Sequence, residues 1–253
     1  MNHGGNTRMG NQDLEGQVAA ITGGAQGIGH AIARSLQERG AIVWLLDVDG
    51  TAAESAAAAL GNRARGCAAD VTDEASLAAA RDRILAQDGR VDILVNNAGV
   101  YPPGTLREIT VEAWDRVFDI NCKGVFLASR VFMDPMIEAG YGRIVSIVTV
   151  DAYIPKPNMP HYAASKAAVL SLVKTFAQEL APHGILVNGV SPGAIATERA
   201  KREGWLTKHI PHIPVGRAGE PEDIAEVVAF LASPANRFVT GETVVASGGQ
   251  NMI

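Results

Sequence analysis

Tyr162 and Lys166 stand four positions apart, in Tyr162-Ala163-Ala164-Ser165-Lys166. On a helix, residues at that spacing share one face, so the phenol and the ammonium can enter the same pocket. An ammonium beside a phenol favours the phenolate and draws the tyrosine pKa down from its usual value near ~10. A tyrosine tuned in this way can exchange a proton near neutral pH, as a general acid and base must. The pair alone is weak, because the spacing is common by chance. Its weight comes from a glycine-rich turn far upstream, at the distance a nucleotide-binding α/β domain needs.

That turn is Thr22-Gly23-Gly24-Ala25-Gln26-Gly27-Ile28-Gly29, between an apolar run at 18–21 and a helical pattern at 28–39. Glycines let the backbone turn tightly and approach a pyrophosphate, and the helix start offers free N–H groups to it. Gly23, Gln26, Gly27, Ile28 and Gly29 are therefore candidate cofactor contacts. Asp47 ends the second apolar run, followed by Val48 and Asp49 rather than by a cation. A carboxylate there can accept from both adenosine ribose hydroxyls and repels the 2′-phosphate of NADP, so NAD is the expected cofactor. The plainer alternative for Asp47 is a cap on the next helix. Asp70-Val71 ends the third run, where the aspartate could reach the adenine edge or only start a helix. In Asn96-Asn97-Ala98-Gly99, small residues would let the backbone lie against a flat ligand; a strand-ending turn is the alternative.

Strand-like and helical patterns alternate between these motifs. Strands are expected at 18–21, 41–46, 64–68, 91–95, 143–148, 185–190 and 243–246. Helices are expected at 28–39, 51–60, 73–87, 111–139, 163–180 and 221–231, with Pro135 ending or kinking the fourth. This alternation predicts a doubly wound parallel α/β sheet with helices on both faces, in one domain spanning 14–253. Residues 1–13 are polar and glycine-rich and read as a disordered tail. Residues 194–218 hold Gly204, Pro211 and Pro214 and read as an irregular lid over a site at the strand ends.

Bulk composition narrows the function. The 253 residues are 47% hydrophobic with a net charge of −5, which disfavours nucleic acid or an anionic membrane as partner. No apolar run reaches the ~18 residues of a membrane span. Cys67 and Cys122 read as two buried thiols in a reducing compartment, which predicts a cytoplasmic protein. His209-Ile210-Pro211-His212 lacks a carboxylate or cysteine cluster beside it, so no metal site is expected. His161 reads as a helix-start residue.

Taken together, these motifs resemble the short-chain dehydrogenase/reductase family, in its subgroup of roughly 250-residue members. The likeness runs from about Leu14 to the end. It rests on Thr-Gly-x-x-x-Gly-x-Gly at 22–29, Asn-Asn-Ala-Gly at 96–99, Tyr-x-x-x-Lys at 162–166 and Pro192-Gly193. The resemblance implies a seven-stranded Rossmann sheet, a nicotinamide cofactor and hydride transfer between an alcohol and a carbonyl. It implies a tetrad in which Tyr162 is the acid/base, Lys166 tunes it and binds the nicotinamide ribose, and Asn121 holds a water for a proton relay. The fourth member, serine in the family, is Thr149 here. Threonine has the hydroxyl chemistry of serine, with a methyl that stiffens χ1 and narrows the pocket. Ser146 is the fallback, three residues earlier. The resemblance also places Asn97, Ala98, Gly99, Pro192, Gly193, Ile195 and Thr197 against the cofactor, although Thr197 could simply cap a helix. Ser247 replaces an acidic residue at a structural position of the family.

The substrate pocket is expected to be lined by Tyr101, Thr149, Asp151, Tyr153, Ile154, Ala194 and Trp205, with Asp151 facing either a polyol or solvent. Few cations lie in these segments beyond Lys156. The first reading is an NAD-dependent oxidoreductase of a small secondary alcohol or ketone, with a sugar, polyol or cyclic substrate possible. The alternative is a 3-oxoacyl-carrier-protein reductase. Those enzymes usually use NADPH and carry basic residues at the end of the long helix before strand five, where this chain has Glu138-Ala139-Gly140. A second alternative is a non-catalytic dinucleotide-binding protein. The resemblance further implies a homotetramer built through the long helices around strand five. Val117, Val125, Phe126, Val169, Leu172 and Val173 suit that interface or the core equally.

Overall fold

Successive residues of a strand face opposite sides of its sheet, and both sides are apolar along most of these strands. Val18 and Ala20 pack into one core cluster while Ala19 and Ile21 pack into another. A strand buried on both faces needs a parallel sheet covered by helices, and the computed structural model, which describes residues 12–253, has one. Its strands are β1 (Val18–Thr22), β2 (Ile42–Asp47), β3 (Ala64–Ala68), β4 (Ile93–Asn96), β5 (Gly142–Ile147), β6 (Ile185–Pro192) and β7 (Thr243–Ala246). They pair in parallel in the order β3-β2-β1-β4-β5-β6-β7.

The helices are α1 (Gly27–Glu38), α2 (Gly50–Leu60), α3 (Glu74–Asp88), α4 (Val111–Phe118), α5 (Gly124–Ala139), α6 (Pro160–Leu180), α7 (Glu198–Glu203), α8 (Leu206–His209) and α9 (Pro221–Ala232). Ile32 and Leu36 of α1, Ala53 of α2 and Ile224 and Val228 of α9 cover one face. Leu77 of α3, Phe132 of α5 and Leu180 of α6 cover the other. Each large side chain buried in this way contributes ~1.5–3 kcal/mol. No described helix is long and apolar enough to cross a membrane.

Several boundaries differ from the sequence expectation. The tail at 1–13 lies outside the described residues up to position 11. Asp13, by contrast, sits in a turn and pairs with Arg39 at 3.6 Å. The helix expected over 111–139 is two helices joined by a π turn, Asp119–Lys123. Pro135 neither ends nor shortens the second, because the Val131 carbonyl it leaves without a helical donor accepts from Arg81 Nη1 at 3.3 Å. Helix α6 starts three residues earlier than expected, with Pro160 in its first turn. The lid segment folds into α7, α8 and a 3₁₀ turn, Ile210–His212. Of the apolar positions that could serve an interface, Val117, Val125, Val169 and Val173 are buried within the chain, while Phe126 is 40% exposed.

Candidate active site

Strand order reverses between β1 and β4, and their carboxyl ends part to open a cleft of about 1570 Å³. Thr22, the last residue of β1, ties the two strands together. Its hydroxyl accepts from the Asn97 and Ala98 amides at 3.0 and 3.1 Å. Asn97 returns its side-chain amide to the Thr22 and Gly23 carbonyls at 3.0 and 2.9 Å. Gly23 (φ 61°) and Gly27 (φ 57°) take the left-handed conformation that glycine adopts without strain. Gln26, which caps α1, makes no side-chain cap bond, so the first amides of that helix stay open to an anion. Gly23, Gln26, Gly27 and Ile28 line the cleft. Gly29 does not: a Cβ on it would lie 2.3 Å from the Gly23 carbonyl oxygen, so its part is to let the turn close.

At the adenine-facing end implied by this turn, Asp47 Oδ2 accepts from the Ala25 amide at 3.4 Å and Oδ1 from the Asp49 amide at 3.2 Å. The helix cap belongs to Asp49, which accepts from Ala52, so capping does not explain Asp47. Its lining neighbours Val48 and Ala69 carry no charge. Asp70 also lines the cleft; its Oδ1 holds the Thr72 amide and hydroxyl at 2.8 and 2.7 Å, while Asp73 caps α3. Val71, Ala98 and Gly99 follow along the floor. Pro192, Gly193, Ile195 and Thr197 line the far wall. Thr197 is the α7 cap, accepting from Ala200 at 3.2 Å, and its hydroxyl hydrogen is still available to a ligand.

Tyr162, Lys166 and Thr149 converge where the β5 and β6 ends meet the first turns of α6. Lys166 is 4% exposed, and its Nζ donates to the Ile147 carbonyl at 2.7 Å. Burial lowers Lys166 to about 8. Burial also pushes the Tyr162 phenol up, against the hydrogen bond from Thr149, which favours the phenolate; Asp151 and Tyr101 push it further up. The depressed tyrosine expected from the four-residue spacing is thus absent, because desolvation dominates and the one group that opposes it is the Thr149 hydroxyl, not the ammonium. Thr149 also caps a 3₁₀ turn, Val150–Ala152, accepting from the Asp151 amide at 3.3 Å. Ser146, buried in β5, receives Asn96 Nδ2 at 3.4 Å and does not line the cleft.

Asn121 sits within the π turn, fully buried. Its side chain clasps the Val100 backbone, accepting at 2.8 Å and donating at 2.8 Å, and donates to Ser165 Oγ at 3.1 Å. The amide nitrogen is therefore spent on the fold. A relay water at this position would need the Asn121 backbone or the second lone pair of Oδ1.

The opposite rim departs most from expectation. Tyr101 faces Tyr162 with ring centroids 5.9 Å apart. Above Tyr101, the Arg199 guanidinium lies 3.9 Å from the ring centre and donates to Glu203 at 2.7 Å. Asp151 turns into the cleft, with a side chain 13% exposed, and pairs with Lys156 at 3.1 Å. Trp205 lines the cleft edge-on to His209 at 5.3 Å. Tyr153 does not line it: in a 3₁₀ turn each residue rotates by a third of a circle, and Asp151 takes the inward direction. Ile154 is exposed beyond that turn. Ala194 packs beneath the lid with Ala196, Leu206 and Ile213. Arg116 and Arg199 line the cleft and went unnoticed in the sequence, and His209, weighed there only as a metal ligand, lines it too; nothing in their local pattern shows that α4 and the lid fold over the strand ends.

Other candidates resolve simply. His161 is buried with Nδ1 unpartnered and lines a smaller hollow beside the cleft rather than the cleft itself. No group of three metal-ligating side chains occurs among the described residues. Cys67 is buried and Cys122 half-buried, both as free thiols. Ser247 exchanges hydrogen bonds with the Asn251 backbone at 3.0 and 3.1 Å, a structural use.

The glycine cradle and the uncapped α1 start fit a dinucleotide. The model of a family described as Enoyl-(Acyl carrier protein) reductase matches residues 23–251. The 3-oxoacyl-[acyl-carrier-protein] reductase FabG of Vibrio cholerae is 38% identical over 95% of this chain and 100% of its own. The structure of 3-ketoacyl-(acyl-carrier-protein) reductase from Brucella melitensis complexed with NADH superposes with a TM-score of 0.91 at 36% identity, covering 94% of this chain and 100% of that one. A short-chain type dehydrogenase/reductase from Mycobacterium marinum gives a TM-score of 0.91 at 34% identity, over 96% of this chain and 98% of that one.

Proposed function

Because this chain belongs to the short-chain dehydrogenase/reductase family of nicotinamide-dependent oxidoreductases, we propose that it reduces the ketone of a 3-oxoacyl compound to the secondary alcohol with NADH. The observation that carries this reading is the convergence of Thr149, Tyr162 and Lys166 at one end of a cleft whose other end is Asp47. The substrate class follows the names of the relatives, and the cofactor follows Asp47. A Brucella melitensis relative bearing that same activity name in complex with NADH supports combining the two.

When bound, the reduced nicotinamide supplies the hydride. Burial keeps the Tyr162 phenol protonated, which suits it to give a proton to the forming alkoxide. Thr149 faces the same oxygen and orients the phenol. Lys166 uses one N–H on Ile147 and keeps two for a ribose hydroxyl and for the charge that develops on Tyr162. Thr149→Ser retains turnover in this scheme and Thr149→Val loses most of it; equal activity of the valine variant removes Thr149 from the site.

A second reading keeps the chemistry and changes the substrate to a small or cyclic secondary alcohol. It is favoured by Glu138, which stands near the end of α5 where carrier-protein reductases usually carry basic residues. The test is NADH or NADPH oxidation against 3-oxoacyl thioesters, 3-oxo esters and cyclic ketones, with NAD reduction by polyols and cyclic alcohols alongside. Fastest turnover of NADH with 3-oxo compounds supports the proposal. Preference for NADPH overturns the Asp47 argument, and preference for polyols or cyclic alcohols installs the second reading.

A further inference from the structure

An ion pair in the wall of the cleft has no structural work to explain it. Asp151 and Lys156 meet at 3.1 Å, their side chains 13% and 29% exposed. Both line the cleft together with Thr149 and Tyr162. Charges drawn partly out of water lose hydration that one partner seldom restores. Lys156 has two further N–H donors beyond its bond to Asp151, and no other acceptor takes them among the described residues.

From the lid, His209 completes the cluster. Its Nδ1 lies 3.3 Å from Gln250 Nε2, and the ring stands edge-on to Trp205. With the Gln250 amide donating, a neutral ring carries its hydrogen on Nε2, leaving a donor on a residue that lines the cleft. Lys156 and Asp151 lie close enough to His209 that both act on its protonation in opposite senses. Two segments distant in sequence, one following β5 and one in the lid, thus bring donors to the cleft that Thr149 and Tyr162 also line.

We infer that Lys156 and His209 bind a second carbonyl oxygen of the substrate, two carbons from the ketone that is reduced, and that Asp151 is the positioning residue that holds Lys156. The assignment rests on the 3-oxoacyl reading and deepens it. It makes the cleft selective for 1,3-dicarbonyl compounds over ketones of the same length lacking the second oxygen, because those leave both donors unpaired.

The experiment compares ethyl acetoacetate with 2-heptanone, a monoketone of the same chain length, in the wild type, Lys156→Met and His209→Phe. The readout is the ratio of their kcat/KM values with NADH. In parallel, calorimetry follows both compounds binding to NADH-saturated Tyr162→Phe protein, with and without Lys156→Met, which measures recognition without turnover. The expected result is a wild-type preference for the dicarbonyl that falls at least tenfold in Lys156→Met and less in His209→Phe, mostly through KM. Asp151→Asn should lower the same ratio with a smaller change than Lys156→Met. An unchanged ratio overturns the subsite while carbonyl reduction stands. If the wild type reduces no carbonyl compound, the proposed function falls; the subsite then survives only if calorimetry shows dicarbonyl binding that Lys156→Met abolishes, and is overturned if it does not.

Discussion

At the amino ends of the strands, Asp92 is 1% exposed and accepts from the Val18 amide at 2.8 Å and from Arg90 Nε at 2.8 and 3.0 Å. Nearby, Arg143 is buried, donates to the Gly142 and Asn236 carbonyls at 2.8 and 3.0 Å and stacks on Tyr141, leaving Nε without a partner. At the carboxyl ends the same residue types are left partly unpaired. Asp47 has only long bonds at 3.2 and 3.4 Å, and Lys166 uses one of its donors. One end spends its charged groups on closing the sheet, and the other holds them in place with bonding capacity to spare. A buried polar group with all partners present stabilises the fold, and one held rigid without them is prepared for a ligand.

Substitutions at the two ends should therefore separate activity from stability. The largest effect is expected from Tyr162→Phe, which removes the proton donor and should cut kcat by ~10²–10⁴-fold while leaving the urea midpoint near that of the parent. Appreciable turnover in this variant would place the acid elsewhere. Asp92→Ala is the mirror case: it strands the Val18 amide and should cost ~1–3 kcal/mol of stability, with the KM for NADH unchanged. If its activity falls at temperatures where it is fully folded, the two ends are coupled and the division fails.

Asp47→Ser tests the open end more finely. Losing a charged acceptor worth ~1.5–3 kcal/mol should weaken NADH binding by about ten- to a hundredfold and narrow the gap to NADPH; titration of both cofactors measures it. The smallest effect concerns pH. Burial holds Lys166 at about 8 in the fold, below its value in the unfolded chain. Below pH 8 the buried ammonium is a cost, and the cost is relieved as pH rises through 8 towards the unfolded value, because the unfolded chain then binds more protons. Lys166→Met should thus be more stable than the parent at pH 7, with the advantage shrinking by pH 10. A pH-independent difference in urea midpoints would show that Lys166 is not desolvated.

Much of the scaffold could be read from local pattern. Strand positions agreed to within two residues at every boundary, since strands buried on both faces are apolar runs. Where the pattern misled, a distant partner was responsible. Helical periodicity over 111–139 did not reveal the one-residue widening at the π turn, which Asn121 secures by clasping Val100. Pro135 was tolerated because of Arg81, fifty-four positions away. Tyr153 lost its expected place in the pocket and Asp151 kept one, because a single 3₁₀ turn decided which side chain points inward.

By itself the sequence determined the motif order, the alternation that makes a parallel sheet, the carboxylate at the end of β2 and the Tyr162–Lys166 pair. These depend on chain connectivity and on burial periodicity, which short windows of residues encode. Only the tertiary structure decided that burial pushes Tyr162 up, that Asn121 spends its amide on the backbone, and that Arg199, Lys156 and His209 share the cleft. Desolvation and cleft membership are sums over neighbours brought from remote segments, and no local window contains those neighbours.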